Sequence, residues 1–427
     1  MNDSKESKKA IVGATLIDGT GKDAVSDSVV LIDGDKISEV GPKGEVNIPP
    51  EADLMEVDGS YLLPGFIDLH VHIYHAGFVP IPPKGSDLAY AGIIAMNNLR
   101  SALQAGITTI RDVSDKTHVN LAMRTAERRG LLVAPRLFVA GKGVCITGGH
   151  GSGGGSGLIH EVDSPAEVRK AIREEIKVAG VDFIKLLTSH RTDNPEFSLE
   201  EIKAGVEESH RLGRKVAIHA ANKVAVRMSA EAGVDTIEHG TFLDEESAEI
   251  CSEKDITLVP TLWVKNYMAE LLGELKEDVH LRREFQMDED DVETSLTWFS
   301  RCVDQLPNMM EAARSKGVRI GAGTDCVMAD KPFAMLPEEI EHLAKYGLSN
   351  MEAIEAATRH GAEAIGKEDE FGTIEPGKYA DMIVLEKNPL EDISAVKDVS
   401  FVMKEGEEIQ LHPEWRKKPI SAPQQTT

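Results

Sequence analysis

Two histidines, His70 and His72, lie two residues apart in the apolar run GFIDLHVH at residues 65–72. In a β-strand, side chains at positions i and i+2 point to the same face, so these two imidazoles could bind one metal ion. Two ordinary buried histidines would show the same spacing. The pair alone leaves both interpretations open.

Four further side chains with metal-binding chemistry follow or end apolar runs of the same kind. They are Lys185, His219, His239 and Asp325. A charged group among apolar neighbours costs several kcal/mol unless it has a strong partner, and a metal ion would supply one. Imidazole nitrogens with one carboxylate favour zinc over magnesium or calcium, which prefer oxygen ligands, while manganese, cobalt and iron stay open.

Lys185 differs from the other candidates, because an ammonium group beside a divalent cation is repelled and a desolvated lysine loses its proton more readily. A neutral amine can add carbon dioxide, and the resulting carbamate could bridge two ions. The other ligands would then divide into two groups, His70, His72 and Asp325 for one ion and His219 and His239 for the other. A buried ion pair or a Schiff-base nucleophile is the alternative for Lys185 taken alone.

A series of alternating strands and helices must position these residues. Apolar runs predict eight strands, at 67–72, 108–112, 136–140, 183–187, 216–220, 236–239, 257–262 and 319–324. Amphipathic stretches predict helices at 88–105, 117–129, 165–178, 199–212, 223–232 and 245–253, and a last one ending near 316. Eight such units in about 300 residues predict an α/β fold, a (β/α)8 TIM barrel, whose chemistry lies where the strands end.

Short strands are also predicted at both ends of the chain. Asp-Gly turns at 18–19 and 33–34 separate β-branched runs, and strand-like runs return at 380–385 and 401–403. The simplest packing joins both ends into one small β-domain beside the barrel. The predicted domains are 1–64 for the first part of the β-domain, 65–366 for the barrel, and 367–427 for the second part with a C-terminal tail.

Composition argues against several classes of function. The chain has 427 residues with 47 basic and 72 acidic side chains, a net charge of -25, which argues against nucleic acid or anionic membranes as partners. We find neither a signal peptide nor an apolar run long enough to span a bilayer. The four cysteines are widely spaced, as is typical of thiols in a reducing compartment. We therefore expect a cytoplasmic protein with a small-molecule substrate, and leave open whether it is a homo-oligomer.

Two segments depart from the strand and helix pattern. The glycine cluster at 148–157 is predicted to be a flexible active-site loop, and it lacks the GxxxxGK[ST] pattern of a phosphate-binding loop. The segment 268–293 is charged and lies between the seventh strand and its helix. It is predicted to be a solvated helix, with a mobile lid over the barrel mouth as the alternative.

Eight motifs, spread over nearly the whole chain, resemble those of the amidohydrolase superfamily, and more closely its imidazolonepropionase-like and metal-dependent dipeptidase (Xaa-Pro or Xaa-Arg dipeptidase-like) branch. They are PGFIDLHVH at 64–72, GITTIRD at 106–112, TGGHG at 147–151, IK at 184–185, HA at 219–220, IEHG at 237–240, GTD at 323–325 and GTIEPGKYADM at 372–382. The resemblance implies a metal-bearing barrel with a β-sandwich made from both termini, a carboxylated Lys185 and a hydrolytic reaction. It also implies that His150 reaches the site from the third-strand loop to contact substrate.

These features predict a binuclear metal-dependent hydrolase that cleaves the amide C–N bond of an N-acyl amino acid or dipeptide by attack of a metal-bridging hydroxide. Two divalent ions, most simply zinc, would lower the pKa of a bridging water from about 15.7 towards about 7. Asp325 would accept its proton and return it to the leaving nitrogen, while one ion, helped by His150, would stabilise the oxyanion. A solvated loop histidine is the alternative for His150. The alternative functions are a hydrolase or deaminase of a cyclic amide, amidine or urea-like compound, and a catalytically silent, metal-stabilised assembly protein.

The chain departs from the dipeptidase-like pattern where substrate should lie. Relatives often continue the fourth-strand lysine into a small, glycine-bearing turn, whereas this chain has TSHR at 188–191. They often carry Tyr or His two residues after the fifth-strand histidine, where this chain has Ala221 followed by Asn222. His190 and Arg191 could bind an anionic substrate group, Arg191 as a bidentate partner of a carboxylate, and a structural role in the loop is the alternative.

Aromatic residues after the seventh strand are the remaining candidates. Trp263 and Tyr267 are predicted to line the substrate pocket, with core packing as the alternative. Arg111 and Asp112 are assigned to a structural ion pair, because the resemblance gives them no metal role. The predicted substrate contacts are therefore His150, His190, Arg191, Asn222, Trp263 and Tyr267.

Overall fold

The computed structural model describes residues 8–74, 87–115, 117–152, 159–189, 192–285, 287–326 and 333–412, in which strands and helices alternate in a mixed α/β fold. The strands are β1 (Lys8–Val12), β2 (Thr15–Leu16), β3 (Ser28–Asp33), β4 (Lys36–Pro42), β5 (Asp53–Glu56), β6 (Tyr61–Pro64), β7 (Phe66–Val71), β8 (Ile107–Asp112), β9 (Arg136–Val139), β10 (Val144–Cys145), β11 (His160–Glu161), β12 (Ile184–Leu187), β13 (Val216–Ala220), β14 (Thr236–His239), β15 (Thr257–Val259), β16 (Met382–Leu385), β17 (Val399–Lys404) and β18 (Glu407–Glu408). The α-helices are α1 (Asp87–Gln104), α2 (Val119–Arg128), α3 (Pro165–Arg173), α4 (Leu199–Arg211), α5 (Lys223–Ala232), α6 (Glu245–Glu253), α7 (Leu262–Glu277), α8 (Val279–Glu284), α9 (Glu289–Ser315), α10 (Leu336–Lys345), α11 (Asn350–Ala356) and α12 (Arg359–Ile365). A π-helix (Glu174–Ala179) continues α3, and a 3-10 helix (Ile393–Lys397) precedes β17.

The middle of the chain forms two parallel sheets, in the orders β7-β8-β9 and β11-β10-β12-β13-β14-β15. Between them, the backbone N–H of Asp182 donates to the carbonyl of Val139 at 2.9 Å. Because the strands are parallel, the side chains at their carboxyl ends lie along one edge of each sheet. Seven predicted strands are confirmed as β7, β8, β9, β12, β13, β14 and β15.

The eighth predicted strand, 319–324, is not a regular strand. Residues 319–326 lie between β15 and β7 and form isolated parallel bridges, Ile320 with Leu258 and Cys326 with Val71. Glycines at 321 and 323 leave this segment with few side chains that favour a strand. The segment has the position expected of the eighth strand without its full ladder of hydrogen bonds.

Most of the predicted helices are confirmed within two residues as α1, α2, α4, α5 and α6, and the last ends at Ser315 as α9. The helix predicted at 165–178 changes at Glu174 into a π-helix. The strand predicted at 257–262 stops at Val259, because α7 begins at Leu262.

The π-helix carries a buried carboxylate, Glu175. It accepts hydrogen bonds from Nε2 of His118 at 3.1 Å, Nε2 of His160 at 2.8 Å and the N–H of Lys142 at 3.2 Å. Burial alone would raise the pKa of Glu175, but the bonds from His118 and His160 outweigh it and lower the pKa to about 2. A Cβ on Gly141 would lie 2.1 Å from the Glu175 carboxylate, so this approach requires glycine. Glu175 thereby joins the loops that follow β8 and β9 to the π-helix.

Strands from both ends of the chain share one sheet, in the order β18-β17-β16-β6-β2. The second terminal sheet has the order β4-β3-β1-β5, and its β3 and β4 form the hairpin predicted at 33–34. Ile11 and Val30 from one sheet and Leu62 and Met382 from the other belong to one buried apolar cluster. The two terminal sheets therefore pack face to face over a common core.

The charged segment 268–293 differs from the predicted solvated helix. It spans most of α7, the short α8 and the start of α9, and Leu272 and Leu275 of α7 are fully buried with Val292 of α9. The same apolar cluster includes Cys326. The segment is thus a packed arrangement of helices whose apolar seam reaches the residue after Asp325.

Among the helices of the described residues, none has the length and the apolar composition needed to cross a membrane. None of the four cysteines forms a disulfide.

Candidate metal centre and active site

His70 and His72, at and just after the end of β7, meet Asp325. Nε2 of each imidazole lies 3.6 Å from Oδ1 of Asp325. One possible ligand atom from each of the three residues lies within 4.8 Å of the others, close enough to bind one metal ion. The structure brings together the three residues predicted for the first ion.

His239 and His219 lie beside this group, because they are at the carboxyl ends of the paired strands β14 and β13. The ring centroid of His239 is 4.9 Å from that of His70 and 4.4 Å from that of His219. His150, in the loop after β10, has its ring centroid 4.2 Å from that of His219. The predicted histidines therefore form a continuous row, His72, His70, His239, His219 and His150.

Lys185, in β12, is 2% exposed, and its Nζ has no hydrogen-bond partner in the described part of the chain. Burial lowers its pKa, although the charges of Glu238 and Asp325 act in the opposite direction. A buried ammonium group with none of its three N–H donors bonded is costly. The position therefore suits a neutral amine, and β12 pairs directly with β13, the strand that carries His219.

Behind His70 lies a second carboxylate, Glu238 of β14. Its Oε2 is 2.6 Å from Nδ1 of His70, and its Oε1 accepts from Nη2 of Arg111 at 2.6 Å. The predicted ion pair between Arg111 and Asp112 is wrong, because Arg111 pairs with Glu238. Asp112 instead accepts the N–H of Ile73 at 2.8 Å, which holds the chain next to His72.

His72 and His239 have neutral partners at Nδ1. Nδ1 of His72 is 3.0 Å from the carbonyl oxygen of Ser114, and Nδ1 of His239 is 2.7 Å from Oγ1 of Thr261. Lys265 donates to the same Thr261 oxygen at 2.7 Å. The contact at Nδ1 therefore holds each of these two rings in position, on the side that faces away from the other histidines.

These contacts define the protonation of two rings. A carboxylate or a carbonyl oxygen only accepts hydrogen bonds, so His70 and His72 carry their proton on Nδ1 and present the Nε2 lone pair to Asp325. Burial first, and nearby positive charges second, hold the pKa values of His70, His219 and His239 well below their usual range. Neutral imidazole is the form that binds metal, so the donor set fits divalent metal ions.

Asp68 fixes the segment that carries Asp325. Its carboxylate accepts the N–H of Thr324 at 3.1 Å and the hydroxyl of Thr324 at 2.8 Å, and also the N–H of His70 at 3.1 Å. A Cβ on Gly323 would lie 2.8 Å from Cβ of His70, so the close approach of the two segments requires glycine. Asp325 itself has a φ of 49°, a backbone conformation that residues other than glycine rarely adopt.

Asn222, predicted to contact substrate, makes structural hydrogen bonds. It is 1% exposed, and its Nδ2 donates to the carbonyls of Thr192 and Asn194, each at 3.1 Å. Its Oδ1 accepts the N–H of Ala225 at 2.8 Å and so caps α5. The structure gives Asn222 a role in holding the loop after β12, and a substrate contact from it stays a prediction.

The remaining predicted substrate contacts fall into different surroundings. Trp263 and Tyr267 stack with ring centroids 5.3 Å apart, and Trp263 is 5% exposed within the apolar cluster of α7 and α9, which favours core packing. His150 is held by its backbone N–H, which donates to Glu196 at 2.8 Å. His190 and Arg191 lie outside the described residues.

Sequence reasoning did not identify Glu238, Thr261 or Lys265 as part of the site. For Glu238 a signal was available, since it is a charged residue directly before a predicted ligand in an apolar strand. Lys265 gave none, because its contact with Thr261 depends on α7 starting earlier than predicted.

Residues 61–409 match the sequence profile of the amidohydrolase family. Ochratoxinase of Aspergillus niger is 28% identical over 439 residues, an alignment that covers 93% of this chain and 85% of that protein. Imidazolonepropionase of Rhizobium meliloti is 24% identical over 398 residues, covering 84% and 85%. The crystal structure of a Xaa-Pro dipeptidase with methionine bound in its active site is 30% identical, with a TM-score of 0.83 over 95% of this chain and 100% of that one. The chain therefore belongs to the amidohydrolase family and is a hydrolase that acts on carbon–nitrogen bonds.

Proposed function

We propose that this protein is a binuclear metal-dependent amidohydrolase that cleaves the amide bond of an N-acyl amino acid or a dipeptide. The observation that carries the proposal is the row of histidines with Asp325, together with a buried lysine that has no hydrogen-bond partner among the described residues. A structural cluster of histidines would not need such a lysine.

The proposed frame is a (β/α)8 TIM barrel with a β-sandwich made from both termini, divided at 64/65 and 366/367. Parallel pairing within the two central sheets supports the barrel, as does the position of 319–326 between β15 and β7. The shared core of the terminal sheets supports the sandwich.

The proposed ligands are His70, His72 and Asp325 for one ion and His219 and His239 for the other, with Lys185 as a carbamate between them. This donor set favours zinc. When bound, the ions supply an activated water at neutral pH and a Lewis acid for the carbonyl oxygen.

The proposed carbamate follows from the surroundings of Lys185. A neutral amine can add carbon dioxide, whereas an ammonium group cannot, and burial favours the amine. The modification would replace an unpartnered nitrogen with two anionic oxygens beside several metal-binding side chains. Lys185 would thereby become a ligand instead of a repelled cation.

Asp325 would perform the proton transfer of the reaction. Burial raises the pKa of its carboxyl group, although Lys265 and Lys185 act against this shift. A carboxylate with a raised pKa can accept the proton of the attacking water at one oxygen and return it to the leaving nitrogen. His150, beside His219, would orient the substrate carbonyl.

The similar proteins support two substrate classes. A Xaa-Pro dipeptidase among them favours a dipeptide or an N-acyl amino acid. Imidazolonepropionase favours the second candidate, hydrolysis or deamination of a cyclic amide, amidine or urea-like compound. A substrate panel scored for both free amino acid and ammonia would separate the two, since the amide substrates release an amino acid.

The proposed function is tested by measuring the metal content of the protein and the activity of a Lys185 variant. Purified active protein is expected to contain close to two equivalents of divalent metal per chain by elemental analysis. Lys185→Ala is expected to abolish activity on the panel, with partial recovery when bicarbonate or a short carboxylate is added. Lys215→Ala, directly before the start of β13, is the control and is expected to stay active. Active protein without metal would contradict the proposal, and an unchanged rate in Lys185→Ala would contradict the bridge.

We further propose a small-molecule substrate, no nucleic-acid or membrane partner, and a cytoplasmic location. The net charge of -25 supports the exclusion of anionic partners, and the absence of disulfides among the four cysteines supports a reducing compartment. The homo-oligomeric state stays open to measurement.

A further inference from the structure

Two buried lysines lie near the site, and their surroundings are opposite. Lys185 has no hydrogen-bond partner in the described residues, whereas Lys265, 5% exposed, has three acceptors. Its Nζ lies 2.9 Å from the carbonyl of Pro260, 3.2 Å from the carbonyl of Thr261 and 2.7 Å from Oγ1 of Thr261. An ammonium group has three donors and no acceptor, so these contacts satisfy it completely. Burial lowers the pKa of Lys265, whereas these three contacts favour its charged form.

The charge of Lys265 is connected to one metal-binding histidine. Oγ1 of Thr261 accepts from Lys265 and also lies 2.7 Å from Nδ1 of His239. Thr261 directly precedes α7 and Lys265 lies in its first turn, so the helix holds the two side chains together. The hydroxyl oxygen therefore stands between an ammonium group and an imidazole.

The partner of Nδ1 affects how strongly an imidazole binds metal. A carboxylate at Nδ1, as Glu238 is for His70, makes the ring more electron-rich and a better ligand. A hydroxyl already polarised by an ammonium group is a poorer acceptor and gives Nδ1 of His239 less of this support. The groups at Nδ1 of His70 and of His239 therefore have different effects on how strongly each imidazole binds metal.

We propose that Lys265 is a positioning residue that lowers the affinity of His219 and His239 for their metal ion. This ion then binds less tightly than the ion held by His70, His72 and Asp325. This inference rests on the binuclear centre proposed above. Its consequence is ordered loading, in which the site of His70, His72 and Asp325 fills first and the second ion exchanges readily. Activity would then depend on the concentration of available metal.

Metal titration tests the order of loading. Protein stripped with a chelator is titrated with zinc in competition with a chromophoric chelator, which measures both dissociation constants without an activity assay. The wild type is expected to bind two equivalents in two steps. His239→Ala is expected to remove the weaker step and keep the tighter one.

Lys265→Met tests the role of the charge. It is expected to tighten the weaker step by about tenfold and to change the tighter step less. Lys265→Gln, which keeps a donor to Thr261, repeats the test and should give the same direction. Lys170→Met, at a 75% exposed side chain on α3, removes the same charge and should change neither step. General damage to the fold would loosen metal binding, so tightening distinguishes the proposed role from a structural one.

Three outcomes would overturn part of this account. Equal affinities for two ions in the wild type, or a Lys265→Met variant whose weaker step is unchanged or loosened, would overturn the role of Lys265 and leave the hydrolase proposal standing. Binding of a single equivalent by the wild type would instead overturn the binuclear centre itself.

Discussion

At the scale of single residues, three histidines of the candidate centre differ in the group that contacts Nδ1, the ring nitrogen that points away from the centre. Nδ1 meets the Glu238 carboxylate at His70, a backbone carbonyl at His72 and the Thr261 hydroxyl at His239. In the proposed metal centre, rings of one residue type would therefore differ in their strength as ligands. The proposed metal chemistry would depend on these neighbours as much as on the histidines.

Glu238→Gln is expected to weaken the tighter zinc-binding step by about 10- to 100-fold. The amide oxygen is a poorer acceptor for Nδ1 of His70, and the buried Arg111 loses its ion pair. Zinc titration measures the effect. Glu175→Gln, which removes another buried carboxylate bonded to histidines, is the control and should leave both zinc constants unchanged. An unaltered tighter step in Glu238→Gln would show that His70 does not depend on this carboxylate.

The grouping of the candidate ligands His70, His72 and Asp325 could be predicted from the sequence, because residue type and strand-end position point to it. Their supporting contacts could not, since Glu238 reaches both His70 and Arg111 from a distant part of the chain. The sequence also did not predict the structural hydrogen bonds of Asn222, for a related reason. They depend on the course of the loop at 192–194, for which the sequence has no periodic signal.

At the scale of elements, alternation of apolar and amphipathic runs was sufficient to predict the central strands and most helices. The prediction was wrong where local packing, which the alternation of runs does not show, determines the structure. Residues 319–324 read as a strand, but Gly321 and Gly323 leave few side chains that favour one, and only isolated bridges form. The charge of 268–293 suggested a solvated helix, because the pattern did not show that α7 and α9 bury a shared apolar seam.

The π-helix supplies a prediction at this scale. Glu175→Gln is expected to lower the free energy of unfolding at neutral pH by about 2 kcal/mol, because two imidazoles lose an anionic partner. The pKa of Glu175 falls from the usual 4.5 to about 2 on folding, so its contribution is present above pH 4.5 and is lost as the pH falls from there towards 2.

The measurement is the thermal midpoint of both proteins across this range. The deficit of Glu175→Gln should shrink as the pH is lowered from about 5 to about 3. Glu174→Gln, a half-exposed neighbour in the same π-helix, should show little change at either pH. A deficit that stays constant with pH would mean that Glu175 is not held as a carboxylate by its histidines.

At the scale of the whole molecule, Arg136 of β9 joins the parallel sheets to the C-terminal strands. It donates to Asp381 at 2.6 Å and to Glu405 at 2.7 Å. Its guanidinium group also lies over the rings of Phe371 and Tyr379, at 4.8 and 4.7 Å. One side chain therefore connects elements from two separate parts of the chain.

Arg136→Met is expected to lower the free energy of unfolding by about 3 kcal/mol, because it leaves Asp381 buried without its cation. Calorimetry measures the loss, and kcat at low temperature should be retained, since the contacts of Arg136 within the described residues are with residues outside the site. Arg128→Met, at a 52% exposed side chain 3.2 Å from Asp182, should cost less than about 1 kcal/mol. Equal effects of the two substitutions would contradict the connecting role of Arg136.

The sheet shared by both ends of the chain has a consequence for biosynthesis. Leu62 of β6 pairs with Val384 of β16, with most of the chain between them. At the usual rate of translation, β6 leaves the ribosome tens of seconds before its partner exists. Until then its open edge can pair with other nascent chains. This sheet can form only after β16 has been synthesised, so slower translation prolongs the period in which β6 is most exposed to aggregation.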